Sequence, residues 1–373
     1  MTGEIKTKRK PCILVVDDVP ENIEILGSIL RTQFSIRVAS NGTEALEIVE
    51  KFSDIELILL DVMMPDIDGF EVCRRLKEHY PTRKIPIIFV TAKNEVMDET
   101  SGFAAGGVDY ITKPVSPPIV LARVNTHLDL FNQQRLLEKM VSERTQELLK
   151  TRDITIYTLS SLAEIRDNET GDHIKRTQRY VRLLSSRLLE ASHFRTSLND
   201  ETIDLLSKSA PLHDVGKIGI RDNILLKPGK LSAEEFEIIK THTTIGRDAI
   251  ARGVIEIGWE KVSSFLEIAC EIAFSHHEKW DGSGYPQGLR GEQIPVSGRI
   301  MAICDVYDAL ISKRSYKAPF SHEKAVQIIR EGREIHFDPL ITDTFISIEK
   351  EFLDIAVRYT TLKEEKESLE KSI

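Results

Sequence analysis

The sequence predicts a multidomain protein in which a doubly wound α/β domain is joined by a long helix to an all-α domain. Short apolar runs alternate with amphipathic stretches from residue 12 to about 130, which is typical of a parallel sheet covered by helices. From Val115 to about Leu162 there is no glycine, there is no proline after Pro118, and good helix formers favour one continuous helix. From about 154 to 350 the patterns are mostly helical.

The first domain has five candidate strands, all short and apolar. They are predicted at Cys12 to Val16, Phe34 to Ala39, Ile55 to Leu60, Ile85 to Val90 and Val108 to Ile111. Stretches between them, such as Glu21 to Leu30 and Glu44 to Phe52, are amphipathic and predict helices. A five-stranded parallel sheet of this kind carries its site at the carboxyl ends of the strands, because those ends meet at one edge.

Polar residues follow these strand ends. Asp17 and Asp18 close the first strand, Asp61 the third, Thr91 the fourth and Lys113 the fifth. Three carboxylates at one sheet edge repel one another unless a divalent cation lies among them, and such oxygen ligands suit Mg²⁺. A single acidic residue at a strand end is weak evidence, because turns favour acidic residues. The five residues together indicate a site.

Residues 12 to about 130, with Asp61 to Gly69 and Val108 to Pro114 as their most specific segments, resemble a response-regulator receiver domain. The resemblance implies that Asp61 accepts a phosphoryl group from a sensor histidine kinase, and that Asp17 and Asp18 hold Mg²⁺ together with it. The same resemblance assigns the phosphoryl-binding and switching roles to Thr91, Tyr110 and Lys113.

The connecting segment carries an apolar seam at coiled-coil spacing. Its members are Leu130, Leu137, Val141 and Leu148, and Arg144 and Thr151 interrupt it. We expect a short two-stranded coiled coil between protomers, and therefore a homodimer. The alternative is a single helix that packs on its own domains. Both interpretations make the segment a stiff lever rather than a flexible linker.

The second domain has six amphipathic stretches that predict helices. They are Ile174 to Glu190, Thr202 to Leu212, Ala233 to His242, Phe265 to Lys279, Ile300 to Leu310 and His322 to Glu331. His242 is expected to close a helix. Glu169 and His173 stand four residues apart, one turn apart on one face if that stretch is helical. Ligands on separate helices can converge in the core of such a bundle.

Seven residues of this domain form a ligand set for a cluster of metal ions. They are His173, His213, Asp214, His242, His276, His277 and Asp305. Imidazole and carboxylate together suit iron, manganese or zinc, and an aspartate can bridge two ions. Any one of these histidines taken alone is more often an ordinary buried or surface residue, whereas seven together indicate a metal centre.

An ordered series of motifs over some 170 residues resembles the HD-GYP domains, a branch of the HD phosphohydrolases. The motifs are His213 to Gly219, Lys227 to Leu231, Lys240 to His242, His276 to Pro286, Asp305 to Leu310 and His336 to Pro339. The resemblance implies metal-dependent hydrolysis of cyclic di-GMP to the linear dinucleotide pGpG and onward to GMP, and some members prefer the mixed cyclic GMP-AMP. It implies two or three transition-metal ions, with iron or manganese favoured.

The resemblance also assigns roles to single residues. The seven residues of the ligand set bind the metals, with Asp214 as the bridge, and Glu169 adds a ligand for a third ion. Asp214 and Lys217 are the catalytic residues, and Lys217 lies on the phosphate. The expected contacts to the dinucleotide come from Tyr285, Arg314 and Lys317. The chain departs from the family pattern at Arg221, Ser297-Gly298 and Ser315, none of which is a metal ligand.

Two competing hypotheses are a degenerate domain that binds the nucleotide or docks a diguanylate cyclase, and an HD phosphohydrolase for ordinary nucleotides or alarmones. The complete ligand set argues against the first. The loop Gly284 to Pro286 and the segment around Arg314 argue against the second. A net charge of −9 and the lack of a helix-turn-helix pattern disfavour nucleic-acid binding, and no apolar run approaches the length of a membrane span.

The four cysteines have no paired spacing and the first ten residues lack an apolar segment, so we expect a cytoplasmic protein. The predicted domain limits are 11–131 for the receiver, 132–153 for the connector, 154–350 for the HD-GYP domain and 351–373 for a charged tail.

Overall fold

The computed structural model describes residues 9–92, 102–167, 172–190, 192–257, 264–312, 319–361, 366 and 369. The chain divides into two compact units, Met1–Gln146 and Glu147–Ile373. A parallel five-stranded sheet lies in the first unit and helices make up the second, which confirms the predicted fold class. Among the described residues, every helix is too short or too polar to cross a lipid bilayer.

The sheet of the first unit has the strand order β2-β1-β3-β4-β5, and every neighbouring pair is parallel. The strands are β1 Cys12–Val16, β2 Ser35–Ala39, β3 Ile55–Asp61, β4 Ile87–Ala92 and β5 Asp109–Lys113. Helices α1 Pro20–Leu30, α2 Gly42–Lys51 and α3 Gly69–Glu78 connect them. β4 begins two residues later than predicted, directly after Pro86, because proline has no N–H for the ladder.

Side chains of the strands alternate between two apolar layers. Along β1, Leu14 and Val16 pack in the cluster on one face of the sheet, whereas Ile13 and Val15 pack in the cluster on the other. All four are buried, since helices cover both faces. Because both faces are buried, the strands are continuous apolar runs in the sequence. Polar residues that could form a site lie at the carboxyl ends of the strands.

A helix of 50 residues, α4 Pro117–Arg166, follows the sheet. Near its start Val120, Val124 and Leu128 are buried against the sheet. Further along, Val141 is 64% exposed and Leu148 is 71% exposed. The long helix is therefore present, and the pairing of its exposed seam with a second protomer stays a prediction.

The second unit is a bundle of helices around an aromatic core. Its helices are α5 Asp172–Glu190, α6 Asp200–Ser209, α7 Asp222–Leu225, α8 Ala233–Lys240, α9 His242–Ile257, α10 Ser264–Ser275, α11 Val296–Ile311, α12 His322–Glu331, α13 Pro339–Ser347 and α14 Glu349–Tyr359. Tyr180 stacks on Phe352 with ring centroids 4.7 Å apart, and Tyr307 meets the same ring edge-on at 5.4 Å. These contacts fix α5, α11 and α14 against one another.

Two further expectations, both in the second unit, differ from the structure. His242 begins α9 instead of closing α8, because the hydroxyl of Thr241 donates to the carbonyl of Ile238 and the chain turns there. The charged tail was expected from residue 351, yet Phe352 is fully buried in the core of the bundle. Every third or fourth residue of α14 is apolar, so this stretch is an amphipathic helix of the bundle despite its charges.

Candidate metal centre and receiver site

The acidic edge of the sheet has the geometry of a cation site. Asp17, Asp18 and Asp61 each offer a carboxylate oxygen, and these atoms lie within 4.8 Å of one another. Asp17 is fully buried and Asp61 is nearly so. Lys113 Nζ lies 2.8 Å from Asp17 Oδ2 and 3.0 Å from Asp61 Oδ2. Burial raises the pKa of Asp61, and the ammonium of Lys113 opposes that shift.

The two remaining receiver residues line one cavity beside this edge. Thr91 at the end of β4 and Tyr110 on β5 border it together with Phe89 and Phe103. The guanidinium of Arg123 lies 5.3 Å from the centroid of the Tyr110 ring. Thr91 and Tyr110 thus border the same small cavity, and the switch between them stays a prediction.

In the second unit, the predicted ligands form two adjacent groups. Asp214, His242, His276 and His277 form one group, and His173, His213 and Asp305 form the other. Within each group the ligand atoms lie within 4.8 Å of one another. His173 Nε2 and His213 Nε2 lie 3.5 Å apart within the second group, and His242 Nε2 and His276 Nε2 lie 3.5 Å apart within the first. His213 Nε2 and Asp214 Oδ2, which lie 3.2 Å apart, join the two groups. The helices thus bring together all seven predicted ligands.

Asp214 lies between the two groups. Its Oδ2 atom lies 3.2 Å from His213 Nε2, and its Oδ1 atom lies 3.2 Å from His242 Nε2 and 3.6 Å from His276 Nε2. Each carboxylate oxygen therefore faces a different group. An aspartate placed in this way can bind one ion through each oxygen and bridge them.

The histidines are oriented by acceptors behind their rings. Backbone carbonyls accept hydrogen bonds from Nδ1 of His213 (Ala210 O, 2.9 Å), His242 (Ile239 O, 2.7 Å) and His276 (Ile272 O, 2.9 Å). A carbonyl can only accept, so Nδ1 carries the proton and Nε2 presents a lone pair to the centre. Among the described residues, no hydrogen-bond donor reaches Asp214 Oδ1. Imidazole lone pairs that converge on a carboxylate oxygen without a donor fit a bound cation.

The pKa shifts of His276, His277 and Asp214 favour the protonation states that bind metals, whereas the shift of His213 in the metal-free chain favours the charged ring. Burial lowers the pKa of His276, and it lowers the pKa of His277 well below its ordinary value, so both rings are neutral. Burial alone would lower the pKa of His213, but the carboxylates of Asp214 and Asp305 raise it above its ordinary value. Burial opposes the ionisation of Asp214, yet Lys217 and His213 hold its pKa well below the usual range. Neutral imidazoles and an ionised carboxylate are the forms that bind metals.

Two glycines allow the close approaches that shape this centre. A Cβ on Gly216 would lie 1.9 Å from the carbonyl oxygen of His242, so the segment after Asp214 can touch α9 only with glycine there. A Cβ on Gly284 would lie 2.2 Å from the amide nitrogen of Lys279. The buried carboxylate of Glu278 accepts from the amides of Gln287 (2.7 Å) and Leu289 (3.0 Å), which folds the loop after the two adjacent histidines.

Two of the other predicted site residues lie at this centre. Lys217 Nζ is 2.8 Å from Asp214 Oδ2. The ring of Tyr285 lies 4.8 Å from that of His277, measured between centroids. Glu169, Arg314 and Lys317 lie outside the described residues.

A buried ion pair that was not predicted from the sequence orients the ring of His173. Asp308 Oδ2 lies 2.8 Å from Nδ1 of His173, and Arg176 donates to both oxygens of Asp308 at 2.6 and 2.8 Å. A signal was available, because Asp308 follows Asp305 by three residues and Arg176 follows His173 by three, which places each on the ligand's face of its helix. Burial alone would raise the pKa of Asp308, but Arg176 holds it below its ordinary value.

Two family models match this chain. A model described as a response regulator receiver domain matches residues 13–125, and one described as an HD domain matches residues 135–341. The chain belongs to the HD-domain family. The HD-domain match contains all seven predicted metal ligands, and the receiver match contains the acidic edge of the sheet.

Curated relatives extend over most of the chain. A "Probable cyclic di-GMP phosphodiesterase" of Vibrio cholerae is 47% identical over 358 residues, which cover 93% of this chain and 80% of the relative. A "Cyclic di-GMP phosphodiesterase" of Thermotoga maritima is 35% identical, covering 92% of each chain. The "Cyclic di-GMP phosphodiesterase response regulator RpfG" of Xanthomonas campestris is 34% identical, covering 82% of this chain and 79% of the relative.

Proposed function

We propose that this protein is a metal-dependent phosphodiesterase that hydrolyses cyclic di-GMP and is controlled by phosphorylation of Asp61. The observation that carries the enzymatic part is the position of Asp214, whose two oxygens face two groups of histidine ligands with lone pairs directed inward. Three relatives that cover at least 82% of the chain are named for this activity.

A phosphodiester resists attack by water because its own negative charge repels nucleophiles. Metal ions held by this ligand set would supply a nucleophile at neutral pH and would neutralise charge on the attacking and leaving oxygens. Asp214 would bind both ions, and neutral histidine ligands would leave the ions their positive charge. We propose two or three ions, iron or manganese, with Glu169 as a ligand of the third.

The substrate is proposed to lie between Lys217 and Tyr285. The ammonium of Lys217 is suited to hold a phosphate oxygen beside the metal centre. The ring of Tyr285 lies next to that of His277. The ammonium of Lys240 lies 5.4 Å from the centroid of the Tyr285 ring. An aromatic face and a cation together suit a guanine base and its phosphate. Arg314 and Lys317 are proposed to contact the same dinucleotide, because arginine pairs bidentately with phosphate.

A sensor histidine kinase is the proposed phosphoryl donor. Asp17, Asp18 and Asp61 would hold Mg²⁺, and Lys113 already lies within 3.0 Å of two of these carboxylates. Lys113 and Thr91 would then hold the phosphoryl oxygens, while Tyr110 turns in its cavity. Diguanylate cyclases are further proposed partners, since control of the nucleotide pool requires both activities.

The exposed seam of α4 is proposed to pair with a second copy of this chain. Replacing Val141 and Leu148 with glutamate should then lower the dimer fraction in sedimentation experiments, because like charges would face each other across the seam. Lys139→Glu on the same helix serves as a control for the added charge. An unchanged dimer fraction in the seam variant would exclude this interface.

Turnover by the purified protein tests the proposed activity. Protein prepared with and without oxygen is analysed for metal content and incubated with cyclic di-GMP or with cyclic GMP-AMP. We expect hydrolysis of cyclic di-GMP that rises with bound metal, and the linear dinucleotide as the first product. Binding of the nucleotide by metal-loaded protein without any hydrolysis would instead identify a receptor and reject the proposal.

A further inference from the structure

The last residue of α4 contacts the segment that carries Lys217. Arg166 donates to the carbonyl oxygens of Lys217 (3.3 Å), Ile218 and Ile220 (2.6 Å). Its Nε and Nη2 atoms also donate to Asp222 Oδ1 at 3.0 and 2.7 Å. One guanidinium thus holds two carbonyls of a short 3₁₀ turn, Val215–Gly219, the carbonyl of Ile220 that follows the turn, and the first residue of α7. Arginine suits this role because its five N–H donors lie in one plane.

The residue after Arg166 holds the side chain of the same lysine. Asp167 Oδ2 lies 2.5 Å from Lys217 Nζ, which also lies 2.8 Å from Asp214 Oδ2. The ammonium is therefore shared between a carboxylate outside the ligand set and the carboxylate that bridges the two ligand groups. Without Asp167, the ammonium would lose an attraction that opposes the one from Asp214.

We infer that Arg166 and Asp167 are positioning residues, and that together they set where the Lys217 ammonium lies relative to Asp214. This inference rests on the proposed function, in which Lys217 contacts the phosphate. Arg166 fixes the backbone of Lys217, Asp167 fixes its side chain, and neither belongs to the metal-ligand set. A displacement at the end of α4 therefore moves Lys217 without removing a ligand.

Steady-state kinetics of single and double variants tests the inference. Arg166→Ala and Asp167→Asn should each lower kcat on the order of 10- to 100-fold, the size expected when a catalytic group is misplaced by about 1 Å. Metal content should stay at the wild-type level. Combined with Lys217→Ala, either substitution should add little further loss, because it acts through that lysine.

Arg135→Ala is the matched control. Arg135 lies on the same helix, is exposed, and stacks on the ring of Phe131 one turn away, far in sequence from the Lys217 segment. It should keep wild-type kinetics. Losses that multiply in the double variants, or a metal content that falls in step with kcat, would overturn the positioning role.

Hydrogen exchange in metal-free protein gives a readout that does not depend on turnover. The amides of Lys217 and Ile220 donate within the turn, to Asp214 O and Lys217 O, both at 3.0 Å. They should exchange faster in Arg166→Ala, while amides of α11 keep their protection. If Arg166→Ala does not fold, Arg166→Lys replaces it, since lysine keeps the charge but loses the planar fork. Unchanged exchange would contradict the inference even if the protein proved not to be a phosphodiesterase.

Discussion

Arg176 and Asp308 form a fully buried, bidentate ion pair directly behind the metal centre. The guanidinium donates to both carboxylate oxygens, and one of these oxygens lies 2.8 Å from Nδ1 of His173. The pair joins α5 to α11, the helices that carry His173 and Asp305. The orientation of one ligand is thereby tied to an ion pair whose members are 132 residues apart in the sequence.

Removal of Asp308 should lower both stability and metal affinity. Asp308→Ala leaves the guanidinium of Arg176 buried without this carboxylate, a loss of about 3–5 kcal/mol for a buried pair. It also removes the acceptor that orients His173, which costs roughly 10- to 100-fold in metal affinity. Chemical denaturation of metal-free protein and metal titration measure the two effects separately.

Asp343→Ala is the control for that substitution. Asp343 forms a bidentate pair with Arg333 at 2.9 and 3.0 Å, but both side chains are exposed. Exposed pairs contribute only about 0–1 kcal/mol. Equal stability losses in the two variants would mean that burial does not distinguish these pairs.

Asp214→Asn should abolish turnover and reduce bound metal by more than one equivalent, because its two oxygens face both ligand groups. His213→Ala removes one ligand and should also abolish turnover. Lys217→Ala should slow turnover and keep the metals, since lysine is not a ligand. Elemental analysis and nucleotide chromatography of the three variants check these expectations. Normal hydrolysis of cyclic di-GMP by Asp214→Asn would reject the metal centre as the active site.

Acid should destabilise the metal-free protein partly through His336. Burial, with help from Lys279, lowers the pKa of His336 to about 4, below the ordinary value of about 6.5. Between these values the unfolded chain binds a proton that the folded chain does not, so stability falls as pH drops from about 6.5 to 4. His336→Gln should flatten that part of the stability profile in urea denaturation. His193→Gln, at an exposed histidine, should leave the slope as in the wild type.

Phosphorylation at Asp61 should alter the output of the protein. Beryllofluoride, a mimic of the phosphoryl group, should change the phosphodiesterase rate or the dimer fraction, and we expect activation. Coupling between sites is usually about 1–3 kcal/mol, a roughly 5- to 150-fold shift. Asp61→Asn should remove the response while basal turnover remains. Identical rates and sedimentation with and without the mimic would show that the receiver does not govern this enzyme.

Local patterns in the sequence predict much of this protein. Apolar runs bounded by aspartates predict β1 and β3, since a strand buried on both faces tolerates little else. His276 and His277 are recognisable because they are adjacent and followed by a glycine-rich loop. Helix α8 ends at Lys240, two residues earlier than predicted, since the side chain of Thr241 donates to a backbone carbonyl and propensity alone does not reveal that bond.

Local patterns in the sequence do not predict contacts between residues that are far apart in the chain. Arg176 and Asp308 are ordinary helix residues until the fold brings them together, and no local pattern shows which carboxylate a buried arginine meets. The acceptors that fix the histidine tautomers are backbone carbonyls, which every residue has. The charged tail predicted for 351–373 includes Phe352, whose helix buries one face in the bundle.

The contact between Gly216 and His242 has a consequence for how this enzyme can vary. Main chain meets main chain there, with no side chain between the segment that follows Asp214 and the helix that begins with His242. The separation of these two ligands is therefore set by the backbone itself and not by the volume of any core residue. Substitutions that loosen or refill the bundle core can accumulate without changing this spacing. Even one added methyl group at Gly216 would force the two ligands apart.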